Sequence, residues 1–189
     1  MKDAACNFCD CLVLTNPLSV DDLTIEKMHK YFSEPMQKRL SKNKTSNILS
    51  TLGYMLLVKL LYDRFGTLVL PEYSYNKNGK PYIDSCYFNI SHTDSAVCCV
   101  ICDREVGVDI EDIIKDTSLK DYILNDSEKK SCPDSRTLTK YFVKKESLVK
   151  CEGSSVFYNT KDILDRSDDF EFITKSYPDF ELSIAIKKD

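Results

Sequence analysis

The sequence predicts an α+β protein made of two similar halves, each a long helix followed by short antiparallel strands. Three observations carry this reading. Ser46–Tyr62 sets Ile48, Leu49, Leu52, Met55, Leu56, Val58 and Leu60 at the spacing of a helix with a wide apolar face, and Thr137–Cys151 is a second helix, stopped by Gly153. Runs rich in β-branched, aromatic and cysteine side chains follow each helix. No Pro/Ser-rich linker divides the chain, so the expected halves, 1–103 and 104–189, meet closely near Asp103.

Taken in order, Cys11–Leu14 reads as a short buried strand. Asp21 or Asp22 caps a short helix running to Tyr31, which Pro35 follows. Gly66 ends the first long helix. Gly79-Lys80-Pro81 marks a turn with a lysine in it. Residues 86–90 and 96–102 form two strands around the turn Ser91–Asp94, and Val106–Ile110 is a third after the polar pair Asp103–Arg104. A short helix is expected near Leu119–Leu124. The tail alternates short strands at 156–158, 170–173 and 181–186.

Composition narrows the function. The 189 residues are 42% hydrophobic and 30% charged, an ordinary globular balance. The net charge of −4 and pI near 5.3 argue against a nucleic-acid binder. Basic charge gathers between Lys27 and Lys44, a possible anion site. Nine cysteines cannot all pair internally, and Met1–Asp10 has no apolar run of signal-peptide length. The expected location is the cytoplasm, with free thiols. Cys6, Cys9 and Cys11 resemble a metal cluster, but no second Cys-x-x-Cys pair or paired histidines stand at zinc spacing. Cys98, Cys99 and Cys102 lie in an apolar strand, where cysteine acts as a small hydrophobe. Ile48–Leu61 is too short to span a bilayer.

Three constellations can carry chemistry. In the strand Gly107-Val108-Asp109-Ile110-Glu111, alternation puts Asp109 and Glu111 on one face, roughly 6.6 Å apart. Two carboxylates on a rigid face suit Mg²⁺ shared with a phosphate substrate. On the late helix Glu146 precedes Lys150 by one turn, either as a surface ion pair or bordering the buried stripe near those acids. Phe88-Asn89-Ile90-Ser91-His92 ends a strand on a serine and a histidine. It lacks the Gly-x-Ser-x-Gly elbow of a hydrolase.

The order of these segments resembles the signature of 4′-phosphopantetheinyl transferases, of the surfactin-synthetase-activating branch. It runs Gly79-Lys80-Pro81, Phe88–His92, Gly107–Glu111, then Phe142-x-x-Lys145-Glu146-x-x-x-Lys150, within roughly residues 30–155. The chain departs from the pattern at Phe142, where many members hold tryptophan, at Thr93, where serine is usual, and at Leu49, where an arginine is usual.

The resemblance implies two pseudo-symmetric α+β halves with coenzyme A in the cleft between them. By motif match Asp109, Glu111 and Glu146 are the Mg²⁺ ligands. Lys80, Ser91 and His92 contact the coenzyme A phosphates, and Lys145 and Lys150 lie near the diphosphate. Lys38 or Arg39, with Ser50, fall where the nucleotide 3′-phosphate is held. The implied reaction moves 4′-phosphopantetheine to a serine of an acyl or peptidyl carrier protein in fatty acid, polyketide or nonribosomal peptide synthesis. Adenosine 3′,5′-bisphosphate leaves. Glu146 is the implied base and Lys150 steadies the leaving group. The expected enzyme is a cytoplasmic monomer that needs neither nucleic acid nor membrane. The alternatives are a non-catalytic carrier- or nucleotide-binding module of the same fold, and an unrelated Mg²⁺-dependent phosphohydrolase.

Overall fold

The structure, a computed structural model, describes residues 8–40, 44–153 and 160–188. It is α+β, with two antiparallel sheets. The first has five strands in the order β1-β5-β4-β3-β2: β1 (Cys9–Thr15), β2 (Ser74–Tyr75), β3 (Pro81–Ile83), β4 (Cys86–His92) and β5 (Ala96–Cys102). The second has three, β6 (Val106–Asp112), β7 (Phe170–Ser176) and β8 (Phe180–Lys187), in the order β6-β8-β7. Helices α1 (Asp22–Met28), α2 (Glu34–Leu40) and α3 (Lys44–Phe65) lie between β1 and β2 in the chain. Helices α4 (Lys120–Ile123), α5 (Asp126–Lys130) and α6 (Ser135–Glu152) lie between β6 and β7.

Local chemistry sets the helix starts. The Asp21 carboxylate accepts the Thr24 amide at 3.0 Å and opens α1, which ends at Met28 and passes into a 3₁₀ turn, His29–Tyr31. Asp134 does the same for α6 through the Thr137 amide at 2.7 Å. At the other end of α6, Gly153 takes a φ of 66°, the left-handed cap that favours glycine. Asn125 and Glu128 close a capping box on α5.

β5 is the spine of the molecule, and all seven of its residues are buried. Cys98, Val100 and Cys102 face Val108, Ile110, Leu182 and Ile184 of the second sheet. Cys99 and Ile101 face Leu57, Val58 and Leu61 of α3. Burial on both faces explains the unbroken apolar run in the sequence. It also explains the cysteines, whose thiols fill space between layers.

The strand expected at Val106–Ile110, after the turn at Asp103–Arg104, is β6; the turn carries the chain into the second sheet, where β6 pairs with β8 (Val106 opposite Ile186). β1 runs along the whole of β5, Cys9 opposite Cys102, a pairing too distant in sequence to show in local pattern. The expected strand at 156–158 lies outside the described residues, as does Cys6. Among the described residues no helix is long and apolar enough to cross a membrane.

Candidate active site

Helix α6 packs against β6 and β8. It approaches β6 closely because position 107 has no side chain: a Cβ there would lie 2.2 Å from both the Ser147 carbonyl oxygen and the Cys151 nitrogen. Across the junction of the two sheets, β4 lies beside β6. Its Asn89 Oδ1 accepts the Val108 N–H at 2.8 Å, satisfying an amide on the open edge of β6. Strand, strand and helix thus meet at one place.

Asp109 sits there and is 5% exposed. Its Oδ1 accepts two bonds, from Lys150 Nζ at 2.6 Å and from Ser91 Oγ at 3.0 Å. Lys150 also donates to Ser91 Oγ at 2.9 Å. The second oxygen, Oδ2, is buried with no hydrogen-bond partner among the described residues.

The neighbouring carboxylates feel this charge. Burial, then the Asp109, Asp112 and Glu146 charges, push Glu111 up to about 7 against the pull of Lys150. Burial and Asp109 also raise Glu146. Burial raises Asp109 itself, opposed by Lys150 and Ser91. At the end of β4, burial and the Lys150 ammonium lower His92. Ser91, His92, Asp109, Glu111, Glu146 and Lys150 therefore form one electrostatic group, drawn from two strands and a helix.

Two lysines expected at the phosphates stand elsewhere. Lys80 is 7% exposed and gives its ammonium to three backbone carbonyls, those of Val106, Lys150 and Cys151. Lys145 is 1% exposed and donates to the Ile123 carbonyl at 2.8 Å, to Glu128 Oε2 at 2.6 Å and to the Lys161 carbonyl. In each case three acceptors match the three donors of an ammonium. Burial of an ammonium demands protein acceptors, and these side chains have found them. Lys38 is exposed on α2 and Ser50 half-buried on α3, both in the first half. The Arg39 side chain lies outside the described residues.

Sequence reasoning assigned no role to Asn89, Gly107 or Asp112. The first two stood inside the quoted motifs, and a glycine within a strand signals close approach of another backbone. Asp112 carries a buried Oδ1 with no partner among the described residues at the end of β6, and nothing in its sequence context marks it.

These features define a buried carboxylate–lysine site at the junction of the two sheets, with two further glutamates beside it. The family model of the 4′-phosphopantetheinyl transferase superfamily matches residues 105–187, which hold β6, α6 and the last two strands. A stretch of 120 residues is 31% identical to the 4′-phosphopantetheinyl transferase gsp of Aneurinibacillus migulanus, covering 57% of this chain. It covers 49% of that relative, so the match spans about half the relative's length. The resemblance to 4′-phosphopantetheinyl transferases is thereby shown.

Proposed function

We propose that the chain transfers 4′-phosphopantetheine from coenzyme A to a serine of an acyl or peptidyl carrier protein and releases adenosine 3′,5′-bisphosphate. One observation carries this reading. Asp109 is buried with one oxygen bound by Lys150 and Ser91 and the other orphaned, beside Glu111 and Glu146. A buried acid keeps an unpaired oxygen at a cost unless something else is meant to meet it.

The donor set fits a hard divalent ion. Among the described residues no group of three acids, histidines or cysteines is placed to hold a metal ion. Mg²⁺ does not need one, since it takes one or two carboxylates together with substrate phosphate and water. The motif match names Asp109, Glu111 and Glu146 as its ligands, of which one or two would hold it in this arrangement, and when bound it would supply charge neutralisation at the diphosphate.

The side chains divide the remaining work. Lys150 is half-buried and offers a mobile positive charge for the departing phosphate. Ser91 and His92 line the approach from β4 and contact phosphate. Glu146, whose proton affinity is raised, takes the proton from the carrier serine directly or through water. The serine oxygen forms the new bond to phosphorus, and the bond to the nucleotide phosphate breaks. Lys38 or Arg39, with Ser50, stands where the motif match places the 3′-phosphate. Residues 1–103 thereby anchor the nucleotide, and 104–189 supply the acids and the lysine.

Mass spectrometry of an apo carrier protein incubated with the chain, coenzyme A and Mg²⁺ tests the proposal. A gain of one phosphopantetheine is expected. Release of phosphate without that gain selects a phosphohydrolase, and binding without either selects a non-catalytic module.

A further inference from the structure

A helix leaves its last four carbonyls without partners inside the helix. In α6 these are residues 149–152, and three of them are satisfied from the other half of the protein. Lys80 Nζ donates to the Lys150 carbonyl at 2.6 Å and to the Cys151 carbonyl at 3.1 Å. Asn78 Nδ2 donates to the Glu152 carbonyl at 2.8 Å. Both residues lie in the turn joining β2 to β3.

That turn is itself braced. Asn76 Oδ1 accepts the amides of Asn78 at 2.9 Å and Lys80 at 3.0 Å, and the Asn76 carbonyl accepts the Gly79 amide at 2.9 Å. Gly79 takes a φ of 80° that closes the loop. Gly153 nests against it: a Cβ there would lie 2.9 Å from Lys80 Cβ and 3.4 Å from Asn78 Cβ. A positive charge at the C-terminal end of a helix also suits the helix dipole. Lys80 further holds the Val106 carbonyl, so one ammonium ties β6 to the helix lying on it.

We infer that Asn78 and Lys80 form a clamp by which the first half fixes the last turn of α6, holding Lys150 and, one turn earlier, Glu146 against Asp109. Lys80 is then a positioning residue, acting through Lys150. This rests on the transferase reading of the Asp109 site. It assigns the glycine-lysine-proline turn to alignment of the reacting groups, where the sequence alone had assigned it to phosphate.

The test compares the full chain with Lys80→Met and Asn78→Ala. The second removes one exposed bond and keeps the protein folded even if the first does not. Amide hydrogen exchange over residues 147–153 and steady-state transfer kinetics are measured on each. In Lys80→Met, exchange of the last-turn amides is expected to quicken by about tenfold or more, the effect of losing charge-assisted bonds. The value of kcat should fall by a similar factor, with KM for coenzyme A nearly unchanged, because the groups lost act on alignment. Asn78→Ala should move both readouts the same way by about threefold to fivefold, as for one neutral bond. Unchanged exchange in both variants overturns the clamp. A rise in KM for coenzyme A at constant kcat overturns the positioning role and makes Lys80 a phosphate contact. A parent that transfers nothing sinks the transferase reading, and the exchange comparison still decides the clamp.

Discussion

Lys150 reaches Asp109 at 2.6 Å, yet the two residues differ in their access to water: the lysine side chain is 32% exposed and the carboxylate side chain 6%. The pair is thus a buried acid held by a partly exposed cation. On the proposed reading a phosphate at the site would compete for the same ammonium, and a metal ion would replace the counter-charge that Asp109 then loses.

Asp109→Asn should therefore abolish transfer while sparing the fold. The amide still accepts from Ser91, and Lys150 finds water, so the melting temperature in metal-free buffer should stay within about 2 °C of the parent. Activity should fall by about a hundredfold to a thousandfold, as when one charge-stabilising group is lost. Mg²⁺ with coenzyme A should raise the parent's melting temperature by mass action and the variant's far less. Equal shifts in both proteins would remove the metal assignment.

Thiol accessibility is the second prediction. Cys98 and Cys99 are wholly buried, and burial drives both thiols upward. Cys11 is partly exposed, with its thiol pushed up to about 11 by burial. Iodoacetamide on the native protein should mark Cys11 slowly and leave Cys98 and Cys99 untouched until denaturant is added. Peptide mass mapping decides this. Early labelling of Cys99 would mean that the layer between α3 and the first sheet opens.

Much of this arrangement was legible before the structure. Asp109 and Glu111 share a face because strand residues alternate, and Glu146 and Lys150 because helix residues four apart align; both regularities are local. Long-range facts were not legible. The pattern of Val106–Ile110 says strand but not which sheet, since the deciding partner, β8, lies some 70 residues further on. Lys80 and Lys145 show the same limit. A lysine in a turn or on a polar helix reads as exposed, and only the carbonyls gathered around its ammonium reveal that it is buried.

The buried state of Lys80 gives a pH signature. Burial lowers its pKa from 10.5 to about 8. Below pH 8 the lysine is protonated folded and unfolded, and the cost of burying the charge is fully present. Between pH 8 and 10.5 the unfolded chain binds the extra proton, so this group makes stability rise with pH. The stability of the parent minus that of Lys80→Met should accordingly be flat below pH 8 and climb up to pH 10.5 in denaturant titrations. A difference that falls across that window would mean the three carbonyls hold the proton more strongly than burial expels it.

Gly107→Ala tests the contact that brings the helix to the acids. The added methyl would lie 2.2 Å from the Ser147 oxygen and the Cys151 nitrogen, and 2.8 Å from the Cys151 Cα. All three are backbone atoms, so no rotamer change relieves the clash; α6 must move off β6. Overpacking of this kind costs about 1–3 kcal/mol or more. At about 2–4 °C per kcal/mol for a chain of this size, the melting temperature should drop by roughly 5–10 °C. The displaced helix carries Lys150 and Glu146 with it, while Asp109 stays on the strand. Transfer measured at 15 °C, where the variant remains folded by circular dichroism, should still fall by about a hundredfold, since ångström-scale misplacement at a reacting centre has that effect. Full activity in folded Gly107→Ala protein would show that the distance from α6 to β6 does not set the geometry of the site.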